Sequence, residues 1–327
     1  MNILITGGAG YIGSHTLKAF LKENKHNITV IDNLSKGSKK AIDTLLSVGK
    51  FDFIKASLED DLSEIFTKGK FDAIIHFAAF IEVFESTKDP LKYYLNNTAN
   101  VAKILRYCKE FGVDKFVFSS TAAVYGEPDV SEVGERDNTL PINPYGMSKL
   151  MSEKIIQDYA VSNKNFRFAI LRYFNVAGAD EDGLLGQNYP NATHLIKIAT
   201  QTALKKRDNM AIFGSDYDTK DGTCIRDYIH VNDLADAHLS ALEYIQNNSS
   251  EIFNVGYGKG FSVKEVINKV KDVSGVDFSV LDNPRRDGDP ATLIAKSEKI
   301  KALTGWKPKR DNLELIIKTA LEWERKI

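Results

Sequence analysis

The stretch Ile3-Leu4-Ile5-Thr6-Gly7-Gly8-Ala9-Gly10-Tyr11-Ile12-Gly13 decides the fold. Ile3, Leu4 and Ile5 form a short apolar run, the pattern of a strand buried on both faces. Gly8, Gly10 and Gly13 match G-x-G-x-x-G, and Ser14 to Glu23 reads as a helix. In that motif the first glycine permits the tight turn, the second lets backbone approach a pyrophosphate, and the third packs helix against strand. Free amides at the helix N-terminus then face an anion with a favourable dipole. A second strand, Ile28 to Ile31, ends in Asp32, about 20 residues beyond the turn, where a carboxylate binds the ribose hydroxyls of a dinucleotide. Asp32 repels a 2′-phosphate, so these residues read as an NAD site rather than an NADP site.

Beyond that turn, strands and helices alternate. A third strand is expected at Phe51 to Lys55, a fourth at Phe71 to Ala78 and a fifth at Lys115 to Ser120, with a long helix from Pro90 to Phe111. Asn143 and Pro144 suit the cap and first turn of another helix, and Arg167 to Tyr173 supplies one more strand. This alternation means an α/β fold: a Rossmann-type, doubly wound parallel sheet with ligands at the carboxyl ends of its strands. After Asn175 the sequence becomes irregular and then mixes short elements. The expected division is a dinucleotide-binding domain at 1–174, with a return segment near 228–245, and a smaller mixed α/β substrate domain at 175–327.

The bulk properties set limits. At 327 residues the chain exceeds one average domain, and 43% hydrophobic residues supply a core. A formal charge of −1 argues against nucleic acid or an anionic membrane surface as the main partner. No leader and no bilayer-spanning run is read, so a cytoplasmic protein without a membrane partner is expected. Cys108 and Cys224 lack metal or redox spacing, and no metal site is expected.

Tyr145 and Lys149 stand at i and i+4, on one helix face. A phenol titrates near ~10 in water, too high for a base at neutral pH. A nearby ammonium and the positive ring of an oxidised nicotinamide both favour phenolate, and Tyr145 could then take a proton from an alcohol or sugar hydroxyl. The pair follows a dinucleotide turn and a strand ending in Ser119-Ser120-Thr121, which separates it from a chance surface pair.

Gly7-x-x-Gly10-x-x-Gly13, Tyr145/Lys149 and the Thr121 hydroxyl resemble the extended short-chain dehydrogenase/reductase superfamily. Thr6 to His15, Asp32-Asn33-Leu34, Tyr173-Phe174-Asn175, Arg226 to His230 and Asp287 to Pro290 narrow the resemblance to the UDP-galactose 4-epimerase family, over essentially the whole chain. The resemblance implies tightly held NAD, used transiently, and a 4-keto sugar that turns about its diphosphate link before hydride returns. It implies Tyr145, Lys149 and Thr121 as the catalytic residues. It places NAD against Gly7, Gly10, Tyr11, Ile12 and Gly13 of the turn, then Asp32 and Asn33, Ser57 and Leu58, Phe77, Ala78 and Ala79, with Asn96, Lys149 and Tyr173 completing the site. The UDP-sugar is implied against Thr121, Tyr145, Phe174 and Asn175, then His194 and Leu195, and finally Arg226, Arg286, Asp289 and Leu293. Guanidinium groups suit the diphosphate, since their forks grip phosphate oxygens.

Three positions depart from the common family pattern. Thr121 replaces a serine and keeps the hydroxyl, Ser57 replaces an aspartate that meets the adenine amine, and Ile81 replaces a lysine beside the acidic Glu82. Leu293, where some relatives carry tyrosine, leaves space for an N-acetyl group, so both plain and N-acetylated UDP-hexoses are expected as substrates. The runner-up readings are a nucleotide-sugar dehydratase or another NAD-dependent oxidoreductase. Ala122-Ala123 after Thr121 lacks the Asp-Glu pair of the dehydratase type. The family also implies a homodimer, through the Asn96 to Phe111 and Pro144 to Asn163 helices.

Overall fold

The computed structural model describes residues 1–189, 193–286 and 289–327. Residues 287 and 288, inside the Arg286–Asp289 motif, lie outside the described residues, as do 190–192.

Strands β1 (Asn2–Thr6), β2 (Asn27–Asp32), β3 (Asp52–Lys55), β4 (Ala73–His76) and β5 (Lys115–Thr121) alternate with helices, and β6 (Glu132–Val133) follows. Next come β7 (Arg167–Tyr173), β8 (Asn175–Ala177), β9 (Met210–Phe213), β10 (Ile225–His230) and β11 (Glu251–Val255). The last three are β12 (Gly260–Ser262), β13 (Val280–Asn283) and β14 (Thr292–Ala295). The main sheet has seven strands in the order β11-β7-β5-β4-β1-β2-β3, and every pairing in it is parallel. The order reverses at β1, which lies between β2 and β4 and opens a crevice above their carboxyl ends.

Alternation along β1 explains the two layers of core. Ile3 and Ile5 belong to one apolar cluster with Leu17, Phe20 and Leu234, while Leu4 joins the other with Phe66, Ile104 and Ile156. One face is therefore covered by the Tyr11–Glu23 and Val231–Asn247 helices, the other by Ser63–Gly69, Asn100–Phe111 and Pro144–Ser162. The period of two along a strand sends neighbours to opposite sides.

The first helix starts at Tyr11 rather than Ser14, directly on the last turn of the glycine motif. β4 is shorter than the apolar run Phe71 to Ala78, because Phe71 caps the core before the strand and Phe77 turns out above it. The expected Pro90–Phe111 helix carries a π-turn at Tyr94–Ala99, between Pro90–Tyr93 and Asn100–Phe111. Side-chain packing holds that turn: Asn97 Nδ2 donates to Ser148 Oγ at 3.1 Å, and Thr98 Oγ1 donates to the Ser148 carbonyl at 3.0 Å. Such turns cluster at functional sites, since they displace a side chain from the regular helical face.

After β7 the chain leaves the main sheet. A second sheet runs β12-β10-β14-β6 with β8 alongside β10, and β9 pairs with β13. The helix Val231–Asn247 and edge strand β11 then return to the main sheet, so the return continues past 228–245. A buried ion pair, Lys18 Nζ to Asp180 Oδ2 at 2.5 Å, ties the first helix to the loop beyond β8. Among the described residues, no helix is long and apolar enough to cross a membrane.

Candidate active site

The glycine turn is built as a cradle. Gly7 takes φ +73°, and a Cβ there would lie 2.6 Å from the Ala78 amide nitrogen. The turn's left-handed position is thus Gly7, one residue before the Gly8 that the motif assigned to it. A Cβ on Gly13 would meet the Gly7 carbonyl oxygen at 2.3 Å, so this residue lets helix and turn close together. Gly10 differs, because its Cβ would meet only the Gly7 oxygen, at 3.2 Å. It faces open space beside the helix N-terminus, where a phosphate fits.

Asp32, 8% exposed at the end of β2, accepts from the Ala9 amide at 3.0 Å and the Leu34 amide at 2.8 Å. Burial raises its pKa and these two amides oppose the rise. The carboxylate is locked to the glycine turn, and its remaining lone pairs suit vicinal hydroxyls. Asn33 is exposed beside it. Ser57 follows β3, with its amide on Asp60 Oδ2 at 2.8 Å, while Leu58 packs into the core. Phe77, Ala78 and Ala79 follow β4, and the Phe77 ring rests on His238 at 4.8 Å. Asn96 rides on the π-turn. Tyr11 spends its phenol within the protein, donating to the Gly178 carbonyl at 2.6 Å, and Ile12 is half-buried in the first turn of the helix. These residues come together at the carboxyl edge of β1 to β4, and they fit an adenosine dinucleotide.

Thr121 ends β5 and Tyr173 ends β7, its register partner. The Asn143 side chain caps the next helix, accepting from the Gly146 amide at 2.8 Å. Spacing by four then turns Tyr145, Lys149 and Glu153 inward, and all three are buried. Lys149 Nζ donates to the Ser119 carbonyl at 2.7 Å and lies 4.9 Å from the Phe118 ring centre. Ser119 Oγ also shares a hydrogen bond with the Tyr173 phenol. Burial pushes the Tyr145 phenol up to about 12, opposed by its hydrogen bond with Thr121. Burial also brings Lys149 down to about 7, with the Glu153 charge opposing. Of the two cations expected to favour phenolate, the Lys149 ammonium and an oxidised nicotinamide, the lysine is itself weakened by burial. Both groups are desolvated, and the protein by itself leaves the phenol neutral.

Glu153 and Arg172 were not singled out from the sequence. Glu153 Oε2 receives Arg172 Nη2 at 2.6 Å, and both side chains are buried. The pair bolts the Tyr145 helix to β7. Removing one partner of such a pair costs about 3–5 kcal/mol. Position i+4 from Lys149 was the available signal.

The second half supplies the other wall. Arg226 Nη2 meets Asp289 Oδ1 at 2.6 Å. The Arg286 guanidinium lies 3.8 Å from the Phe213 ring centre, so the two arginines of the sequence reading part company: one is paired with a carboxylate, the other stacks. Phe213 was missed because one aromatic ending a short strand carries no motif. Leu293 pairs in register with Arg226 and packs in one cluster with Phe174 and Ala122, the residue after Thr121. Asn175 pairs in register with Tyr228. His194, before the helix that Leu195 starts, contacts Gln187.

A parallel sheet with this glycine turn, and Tyr, Lys and Thr at its carboxyl edge, is the arrangement of the short-chain dehydrogenase/reductase class. Residues 3–256 match the NAD dependent epimerase/dehydratase family. The chain is 49% identical to a UDP-glucose 4-epimerase of Azospirillum brasilense, over 99% of this chain and 92% of that one. It also resembles the solved UDP-Glc/GlcNAc 4-epimerase of Campylobacter jejuni at 58% identity and TM-score 0.88, covering 99% of each chain. The UDP-glucose 4-epimerase of Bifidobacterium longum, solved with NAD+ and UDP, has TM-score 0.95 at 34% identity, covering 99% of this chain and 98% of that one. The chain belongs to the NAD-dependent epimerase/dehydratase family.

Proposed function

We propose that this protein interconverts UDP-hexoses at C4, both UDP-glucose with UDP-galactose and UDP-GlcNAc with UDP-GalNAc, using tightly held NAD. The observation that carries the reading is the shared cluster of Leu293, Phe174 and Ala122. Leu293 is the register partner of Arg226 and Ala122 follows Thr121, so the cluster joins the strand that carries the diphosphate cation to the strand end that carries the Thr121 hydroxyl.

The glycine turn, Asp32 and Lys149 hold NAD, which when bound takes a hydride from C4 and returns it. Tyr145 removes the proton of the sugar 4-hydroxyl, and the Thr121 hydroxyl holds that oxygen in reach. The cationic site formed with the cofactor offsets the burial that keeps the phenol neutral. Arg226, freed from Asp289 by a better-charged partner, grips the diphosphate. Arg286 and Phe213 offer a cation and a ring face that suit a planar base. The 4-keto sugar would turn about this anchored diphosphate, and Tyr145 would return the proton to its 4-oxygen.

The proposed division of labour keeps NAD on the main sheet and UDP on the segment after residue 175. A homodimer is supported by apolar side chains left open at the two segments named for it, Leu95 at 65% immediately before Asn96 and Met151 at 42% on the Pro144–Ser162 helix. Two free, buried cysteines suit the cytoplasm, where thiols stay reduced. Chromatography of products from the four UDP-sugars tests the function. Release of free NADH with a 4-keto product, or loss of water from the sugar, would overturn it.

A further inference from the structure

Gln187 reaches His194 from the loop that precedes it. Its Nε2 donates to His194 Nδ1 across 2.8 Å. An amide NH2 group has donors only, so Nδ1 accepts and the ring proton of a neutral imidazole sits on Nε2. Nε2 has no hydrogen-bond partner among the described residues. His194 is exposed as a residue, so its ring is not sealed from the cleft. It lines one cavity with Asn175, Leu195 and Tyr228.

Gln187 is itself held. Its main-chain carbonyl accepts from Lys197 Nζ at 2.7 Å. Lys197 pairs with Glu324 in the last helix, and the two side chains are 6% and 3% exposed. Glu324 also receives Lys206 Nζ at 3.3 Å. Through Lys197 this buried pair ends on the residue that contacts His194.

We propose that Gln187 is a positioning residue that fixes His194 as its Nε2–H tautomer, presenting a neutral N–H donor to a hydroxyl or carbonyl oxygen of the bound sugar. The Glu324–Lys197 pair holds Gln187 in place. The proposal rests on the reading of this cleft as a UDP-sugar site.

The test is a long-range 1H–15N spectrum of the NAD-loaded protein, with His194→Asn identifying the ring. The unmodified protein should show His194 protonated on Nε2 alone. Gln187→Leu should give a tautomer mixture and raise KM for UDP-glucose about fivefold, the worth of one neutral hydrogen bond. Its kcat, NAD content and affinity for UDP alone should stay unchanged. Gln187→Glu, which accepts from Nδ1–H, should shift the proton to Nδ1 or charge the ring. Removing one ion-pair partner strands the other charge, so the paired change Lys197→Met/Glu324→Leu is used, and it should raise KM in the same way. A His194 ring protonated on Nδ1 in the unmodified protein overturns the proposal. So does a Gln187→Leu variant with unchanged tautomer and KM, or one that loses NAD. A protein that epimerises no UDP-hexose defeats the proposed function instead, and the spectrum then still decides the tautomer.

Discussion

Arg226 on β10 and Leu293 on β14 are register partners on adjacent parallel strands. A cation suited to a diphosphate and an apolar side chain thus stand side by side through backbone pairing alone. Leu293 is 8% exposed and packs in one cluster with Phe174 and with Ala122, the residue after Thr121. On the proposed function this core residue also borders the sugar, and its size would then set the room available there.

Replacing Leu293 with tyrosine should therefore discriminate between substrates. Overpacking costs about 1–3 kcal/mol, and it falls on the larger ligand. UDP-GlcNAc and UDP-GalNAc turnover should drop by about 10–100-fold while the plain hexoses stay within a few-fold. Chromatographic rates on both pairs decide it, and equal losses would remove Leu293 from the pocket.

Tyr145→Phe keeps the ring and its packing but removes the proton acceptor. Turnover of UDP-galactose should fall by about 10²–10⁴-fold, with NAD still found in the supernatant after denaturation. Near-normal turnover in this variant is incompatible with the proposed base.

The anchor is separable from the chemistry. Arg226→Ala loses a charged hydrogen-bond donor, worth about 1.5–3 kcal/mol, so UDP affinity by calorimetry should fall by about 10–100-fold. Asp289→Asn frees the same guanidinium and should leave UDP binding equal or tighter. Unchanged affinity in Arg226→Ala would place the diphosphate elsewhere.

Lys149 makes stability depend on pH. Its pKa in the folded protein, about 7, lies below the ordinary 10.5. Between those values the unfolded chain binds a proton that the folded one does not, so stability from this group rises with pH across the window and is lost as pH falls through 7. Lys149→Met should stabilise the nucleotide-free protein more at about pH 6 than at about pH 10. Melting temperatures that shift equally at both pH values would mean the ammonium is not buried.

The sequence by itself determined the main sheet, the glycine turn, Asp32 and the Tyr145–Lys149 pair. Each depends on local spacing: a period of two in β1, a period of four on the helix, and a turn that only glycine fits at Gly7 and Gly13. Such signals survive without knowledge of distant contacts. The π-turn under Asn96 was not legible, because its cause is packing against Ser148, about two helices away in the chain. Tertiary structure alone decided the protonation of the site, since burying Tyr145 and Lys149 together outweighs the attraction their spacing suggests. It also decided that Arg226 meets Asp289 while Arg286 stacks on Phe213, and that Glu324 pairs with Lys197. Those relations join segments far apart in sequence, and their energies exist only once the chain has brought the segments together and removed the water between them.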